Sequence, residues 1–157
     1  MLLSDDAFRN VIDSTPLVSI DLVVSNDCGE ILLGERLNRP AQGTWFVPGG
    51  RVRKNERLDA AFERLTTDEL GRPSNREQAR LLGVFEHFYD DSVFSDAPGS
   101  ASTHYVVLAY ALPWAMPDGA HAWPQEQHAR FRWWALQAAA LSDAVHSNSK
   151  AYLSFLN

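Results

Sequence analysis

Cysteine is almost missing from this chain of 157 residues: Cys28 stands alone, so no disulfide can form within the chain. Long apolar runs are missing as well, and none approaches the length of a bilayer span. The opening MLLSDDAFRN has no basic stretch leading into a long apolar core, so no secretory signal is expected. Repeats, low-complexity runs and long linkers are absent, and residues 1–157 read as one domain. With 45% hydrophobic residues that domain can bury a substantial core. Positive charge is in deficit: 14 bases against 20 acids leave a net −6. Long-range repulsion of that sign disfavours nucleic acid and anionic membranes as partners. The expectation is a soluble cytoplasmic protein.

Lysine is scarce too, and the arginines that replace it are not spread evenly. Between Arg36 and Arg80 nine arginines and Lys54 face six acids, a local +4, while the remainder carries four bases and fourteen acids, −10. A small anion is best held where those cations gather. Charge alone does not separate such a cradle from an uneven scatter of exposed arginines.

The pattern of apolar residues and breakers predicts a mixed fold. LVSIDLVVS (17–25) is β-branched and apolar, and a turn at 26–29 leads to a second strand at 31–34, which together suggest a hairpin. TWFVP (44–48) reads as a strand running into a loop at Gly49 and Gly50. Leu58, Ala61, Phe62 and Leu65 recur at helical spacing, and Gly71 with Pro73 ends that helix. Two longer strands follow at 81–89 and 104–112, then a last strand at 131–135 and one or two short helices after Ala138, with Ser147 or Asn148 as an N-cap. Strands around one well-marked helix, with helical cover at the end, give an α/β sandwich on a mixed sheet.

The chemistry concentrates in GRVRKNERLDAAFERLTTDELGR (50–72). This segment resembles the Nudix box, G-x5-E-x7-R-E-U-x-E-E-x-G-U, where U is aliphatic. Gly50, Glu56, Arg64, Glu69 and Gly71 match in register, and Asp68 is a shortened carboxylate at a Glu position. The departures are Leu65 in place of a Glu, Thr66 at an aliphatic position, and Arg72 at the last one. Acids gathered on one stretch of helix suit a hard divalent cation, which also binds phosphate oxygens. Leu65 cannot ligate metal, so water activation for attack at phosphorus is expected to be impaired.

With STPLVSIDLVV (14–24), LNRPAQGTWFVPGGRV (37–52), EHFYDD (86–91), THYVVLAY (103–110) and EQH (126–128), the chain resembles the GDP-mannose mannosyl hydrolase branch of the Nudix family over nearly its full length. That resemblance implies a Nudix-type α/β/α sandwich. It also implies hydrolysis of GDP-mannose, and of GDP-glucose, to GDP and free sugar by attack of water at sugar C1 with inversion. One Mg²⁺ suffices for this chemistry, because the metal need only stabilise the departing diphosphate. Attack at phosphorus by an ordinary Nudix pyrophosphatase, and a non-catalytic nucleotide-sugar sensor, are the alternatives.

The resemblance also assigns residues. Metal ligands fall on the Gly49 carbonyl, Glu69 and Gln127, and the general base on His128, whose imidazole is mostly neutral at pH 7 and able to take a proton from water. Arg36, Arg51 and Arg64 align with cations that face the diphosphate, where fixed positive charge favours charge build-up on the leaving group. Arg64 also lies i, i+4 from Asp68 and so has a second role open to it, orienting the helix. Asp21 aligns at the sugar end. A carboxylate inside SIDLV must lie at a strand edge, in solvent, or against a partner, because burying it alone is costly. Tyr105 and His87 align near the diphosphate and the sugar respectively. Arg39, Arg53 and Arg57 read as solvated charges. The five tryptophans read as core or interface packing, although one could stack on guanine. The family implies a homodimer, compatible with the Trp-rich stretch 113–134, and a role in GDP-mannose supply for surface polysaccharide.

Overall fold

The computed structural model of the chain describes residues 2–96, 101–115 and 128–156. Helix α1 (Asp5–Ser14) precedes strands β1 (Leu17–Ser25), β2 (Glu30–Arg36), β3 (Trp45–Phe46) and β4 (Gly49–Arg51). Helix α2 (Leu58–Leu70) then leads to β5 (Arg80–Tyr89), β6 (Thr103–Pro113) and β7 (His128–Ala135), and the short helices α3 (Leu136–Leu141) and α4 (Ser147–Lys150) close the fold. The sheet runs β3-β2-β1-β6-β5, with β4 also on β1 and β7 also on β2. β1 is parallel to β6 along its whole length and β5 is antiparallel to β6, so the sheet is mixed, as the composition of its elements predicts.

β1 is the central strand. Its side chains alternate between two cores, which is why its sequence is apolar almost throughout. Ile20, Leu22 and Val24 join Leu32, Tyr110 and Leu112 against Ala61, Phe62, Leu65 and Leu70 of α2. Val23, with Ile31, Leu33 and Ala109, packs on the other face against Trp45, Phe46, Val145 and Tyr152. Layers on both sides of the sheet make the expected α/β/α sandwich.

Several expectations are revised. The hairpin of β1 and β2 meets only at Ser25 and Ile31, because β1 pairs instead with β4 over Ser19–Asp21 and the Leu22 N–H donates to the Pro48 carbonyl at 2.8 Å. Gly49 and Gly50 are therefore strand, not loop. Glycine is required at 49: a Cβ there would come within 2.3 Å of the Ile20 carbonyl oxygen. Helix α1 has no counterpart in the sequence reading, although Ser4 caps it by accepting the Ala7 N–H at 3.3 Å. The cap of α4 is His146, whose Nδ1 accepts the Asn148 N–H at 3.1 Å, and neither Ser147 nor Asn148 fills that place. Trp114 and Trp134 are buried within the subunit, so they supply no surface to a partner. Trp123 lies outside the described residues.

Two box departures have local explanations. Thr66 is fully buried, and its hydroxyl lies 3.0 Å from the Phe62 carbonyl while accepting the Ser74 N–H at 2.9 Å, which ties the chain after α2 back to the helix. Arg72 lays its guanidinium 3.8 Å over the Trp114 ring. The helix ends as expected at Gly71, where φ is +82°.

Candidate functional site

The face of β1 that carries Val23 also carries Asp21. Its side chain is buried in the middle of the sheet, paired as it must be: the Tyr152 hydroxyl donates to Oδ2 at 2.5 Å. Burial pushes the Asp21 pKa up to about 7, against the opposing pull of that hydrogen bond and of the Arg36 charge. Across the strand pair, Gly49 lies so close that a Cβ on it would be 2.9 Å from Asp21 Oδ1. Glycine at 49 thus leaves that oxygen room.

β5 brings His87 to the same place, in register with Tyr105 of β6. His87 is buried, with Nε2 3.3 Å from the Tyr152 hydroxyl and its ring edge-on to Phe46. Burial, helped by the charge of His146, pulls its pKa down to about 4, so the ring is neutral at pH 7. Tyr89 on the same strand accepts a hydrogen bond from Asn148 Nδ2 at 3.1 Å.

Arginines complete the enclosure. Arg36 ends β2 and Arg51 ends β4. The Arg51 guanidinium sits 3.9 Å over the Phe8 ring of α1, and burial draws its pKa below the ordinary arginine value. Burial raises the Tyr105 pKa, while the nearby charges of Arg36 and Arg51 oppose that rise. Together these groups wall a cavity of about 300 Å³, lined by Asp21, Arg36, Gly49, Arg51, His87 and Tyr105. Its chemistry is cationic on one side and hydrogen-bonding on the buried side, a combination suited to a molecule with an anionic part and a polar uncharged part.

Other predicted residues are placed differently. Arg64 does not line the cavity. It grips Glu56 through Nε at 2.7 Å and Nη2 at 2.9 Å, and Nη2 also donates to the Arg51 carbonyl at 2.8 Å. Asp68 is farther, at 3.8 Å. The Arg64 hydrogen bond in turn holds the Glu56 carboxyl below its usual range. Arg64 therefore orients the β4 end that carries Arg51. Glu69 is buried on α2 and does not line the cavity. His128 begins β7 with its main chain in register with Arg36. Gln127 lies outside the described residues.

Sequence reasoning missed Phe8, Asn38, Tyr89 and Tyr152. Phe8, Asn38 and Tyr89 line the cavity, and Tyr152 bridges its buried side. Arg39, read as a solvated charge, also lines it, although it remains exposed and reaches Asp96 at 3.8 Å. Tyr89 lies two residues from His87 on β5 and so shares its face, and Asn38 follows Arg36 by two residues, so strand period and nearness could have found these; Phe8 and Tyr152 come from elements distant in sequence.

Among the described residues no group of three His, Cys, Asp or Glu side chains converges to hold a metal. The donors named by the resemblance are all oxygens, from a main-chain carbonyl, one carboxylate and one amide, and such a set suits a hard dication. With so few carboxylates, a metal here would lean on the phosphates of its own substrate.

Residues 15–155 match the NUDIX domain family. The chain belongs to the Nudix family. Nudix hydrolases generally use divalent metal ions such as Mg²⁺. The low-salt glycan biosynthesis protein Agl8 of Haloferax volcanii is 46% identical over 110 residues, which are 70% of this Nudix chain and 67% of that protein. A MutT NUDIX hydrolase from Burkholderia pseudomallei is 27% identical, with a TM-score of 0.69 over 92% of this chain and 100% of that one. The NUDIX domain of Shewanella oneidensis NrtR, solved in complex with ADP ribose, shares the fold at a TM-score of 0.65 and 18% identity, over 98% of this chain and 90% of that one. Among the described residues no helix of this Nudix domain is long and apolar enough to cross a membrane.

Proposed function

We propose that this Nudix domain hydrolyses GDP-mannose, and GDP-glucose, to GDP and the free sugar. The observation that carries the reading is the two-sided cavity. Arg36 and Arg51 offer fixed charge to a diphosphate, and Asp21 with His87 offers buried hydrogen-bonding groups to a sugar. The likeness to a glycan biosynthesis protein fits a nucleotide-sugar substrate. The burial of Leu65 in the apolar core, at a box position that is otherwise a Glu, favours attack at carbon over attack at phosphorus.

The mechanism is the one that the resemblance implies. Water adds to sugar C1 on the face opposite the diphosphate, and the C1–O bond breaks with its electron pair passing to the leaving phosphate oxygen. His128 takes the proton released by the attacking water. Arg36 and Arg51 stabilise the negative charge that grows on the leaving group, in a site whose low dielectric strengthens them. Arg64 acts through Arg51, by holding its main chain. Held by the Gly49 carbonyl, Glu69 and Gln127, one Mg²⁺ would supply further neutralisation of the diphosphate. A second subunit is proposed from the family resemblance alone.

Turnover of GDP-mannose in ¹⁸O-water with Mg²⁺ tests the reading. The label should appear in mannose and be absent from GDP. Label in a phosphate product would show attack at phosphorus, and binding without turnover would show a sensor; either defeats the proposal.

A further inference from the structure

Tyr152 lies 131 residues from Asp21 in sequence, yet its hydroxyl joins two strands, 2.5 Å from Asp21 Oδ2 on β1 and 3.3 Å from His87 Nε2 on β5. The side chain is fully buried, with its ring edge-on to Phe85 at 4.9 Å. Its backbone is tied to the strand that leads into Gly49. The Tyr152 N–H donates to the Ser149 carbonyl, Ser149 Oγ accepts the Val47 N–H at 3.1 Å, and Trp45 exchanges hydrogen bonds with Ala144 and His146. One anchored segment therefore sets the position of the hydroxyl relative to both strands.

A phenol has one proton to give. The shorter contact is to the carboxylate oxygen, so the O–H donates to Asp21. The phenolic oxygen then accepts from His87, which requires the imidazole hydrogen on Nε2. A neutral ring with hydrogen on Nε2 keeps Nδ1 as an acceptor. We propose that Tyr152 is a positioning residue for the sugar side of the cavity: it occupies one oxygen of Asp21 and holds His87 as its Nε2–H tautomer, leaving Asp21 Oδ1 and His87 Nδ1 as a pair of acceptors for hexose hydroxyls. The sugar-binding consequence rests on the nucleotide-sugar reading above. The tautomer does not, and it can be measured without substrate.

Histidine ¹⁵N spectra of the wild-type protein at neutral pH test the first part. His87 should show a protonated Nε2 and an unprotonated Nδ1; the opposite tautomer overturns the proposal. Tyr152→Phe keeps the ring packing and deletes the hydroxyl. It should release the tautomer preference and lower kcat on GDP-mannose roughly 10–100-fold, as loss of a supporting contact does, while binding of GDP, which lacks the sugar, stays unchanged. Tautomer and kcat both unchanged in a folded Tyr152→Phe would overturn it. If that variant does not fold, the wild-type tautomer alone decides. Should the wild-type protein release no mannose from GDP-mannose, the functional reading falls and the spectra still judge Tyr152.

Discussion

The two faces of β1 bury different chemistry. Towards α2, Ile20, Leu22 and Val24 meet Phe62, Leu65 and Leu70 in a wholly apolar cluster. Towards the C-terminal helices, one residue along, Asp21 is also buried but meets the Tyr152 hydroxyl and the field of Arg36. A carboxylate persists inside a protein where donors converge on it, and a leucine serves where they do not. Position 65, acidic in the usual Nudix box, is part of the apolar face here, while Asp21 is a buried acid on the opposite face of β1.

Putting a carboxylate back on the apolar face breaks this comparison most sharply. Leu65 lies so close to β4 that a Cβ on Gly50 would be 2.6 Å from its Cδ2. Leu65→Glu should lower unfolding free energy by about 3–5 kcal/mol, the scale for an uncompensated buried charge. It should also fail to create attack at phosphorus. Denaturant midpoints and ¹⁸O product analysis check both outcomes, and a stable, phosphorus-attacking Leu65→Glu would reverse the argument.

The second expected effect is on rate. Arg51→Ala removes one fixed charge from the cationic wall and the stack on Phe8, and kcat should fall about 10²–10³-fold, as when one donor to developing negative charge is deleted. A change in KM alone would place Arg51 in ground-state binding instead.

The smallest effect is a pH dependence on the polar face. Asp21 ionises less readily folded than unfolded, its pKa rising from 3.8 to about 7. The unfolded state therefore loses this proton first, and the contribution of Asp21 to stability, full below about pH 4, fades as pH rises through 7. Asp21→Asn has no charge to bury and still accepts from Tyr152. Relative to wild type, its thermal midpoint should rise between pH 4 and pH 8. A difference flat across that range would mean that Asp21 is ionised in the fold at every pH tested.

The same contrast explains what was legible in the sequence. The α2 face is local: Leu58, Ala61, Phe62 and Leu65 follow one helical period and Gly71 ends it, so the helix and its buried stripe could be read directly. β1 was legible from its β-branched run, and Asp21 stood out within it as an acid needing a partner. The partner itself was not legible, because Tyr152 sits in a C-terminal segment with no pattern pointing to β1. The strand character of Gly49 and Gly50 was hidden for a related reason: glycines usually signal a turn, and only the closeness of Ile20 shows why they are strand here. Arg64 carried two roles in sequence. The contact to the Arg51 carbonyl is neither of them, and it spans the loop between β4 and α2.

The bond between Tyr152 and Asp21 also ties the candidate site to the second core of the fold. α4 and the turn after it are short elements, yet more than their hydrogen bonds to Trp45 and Val47 holds them: Tyr152 and Val145 are buried in one cluster with Val23, Ile31 and Leu33. Freeing Tyr152 would hydrate Asp21 and unpin His87 only by uncovering that core. On the proposed mechanism, activity and the packing of that core would therefore be lost together.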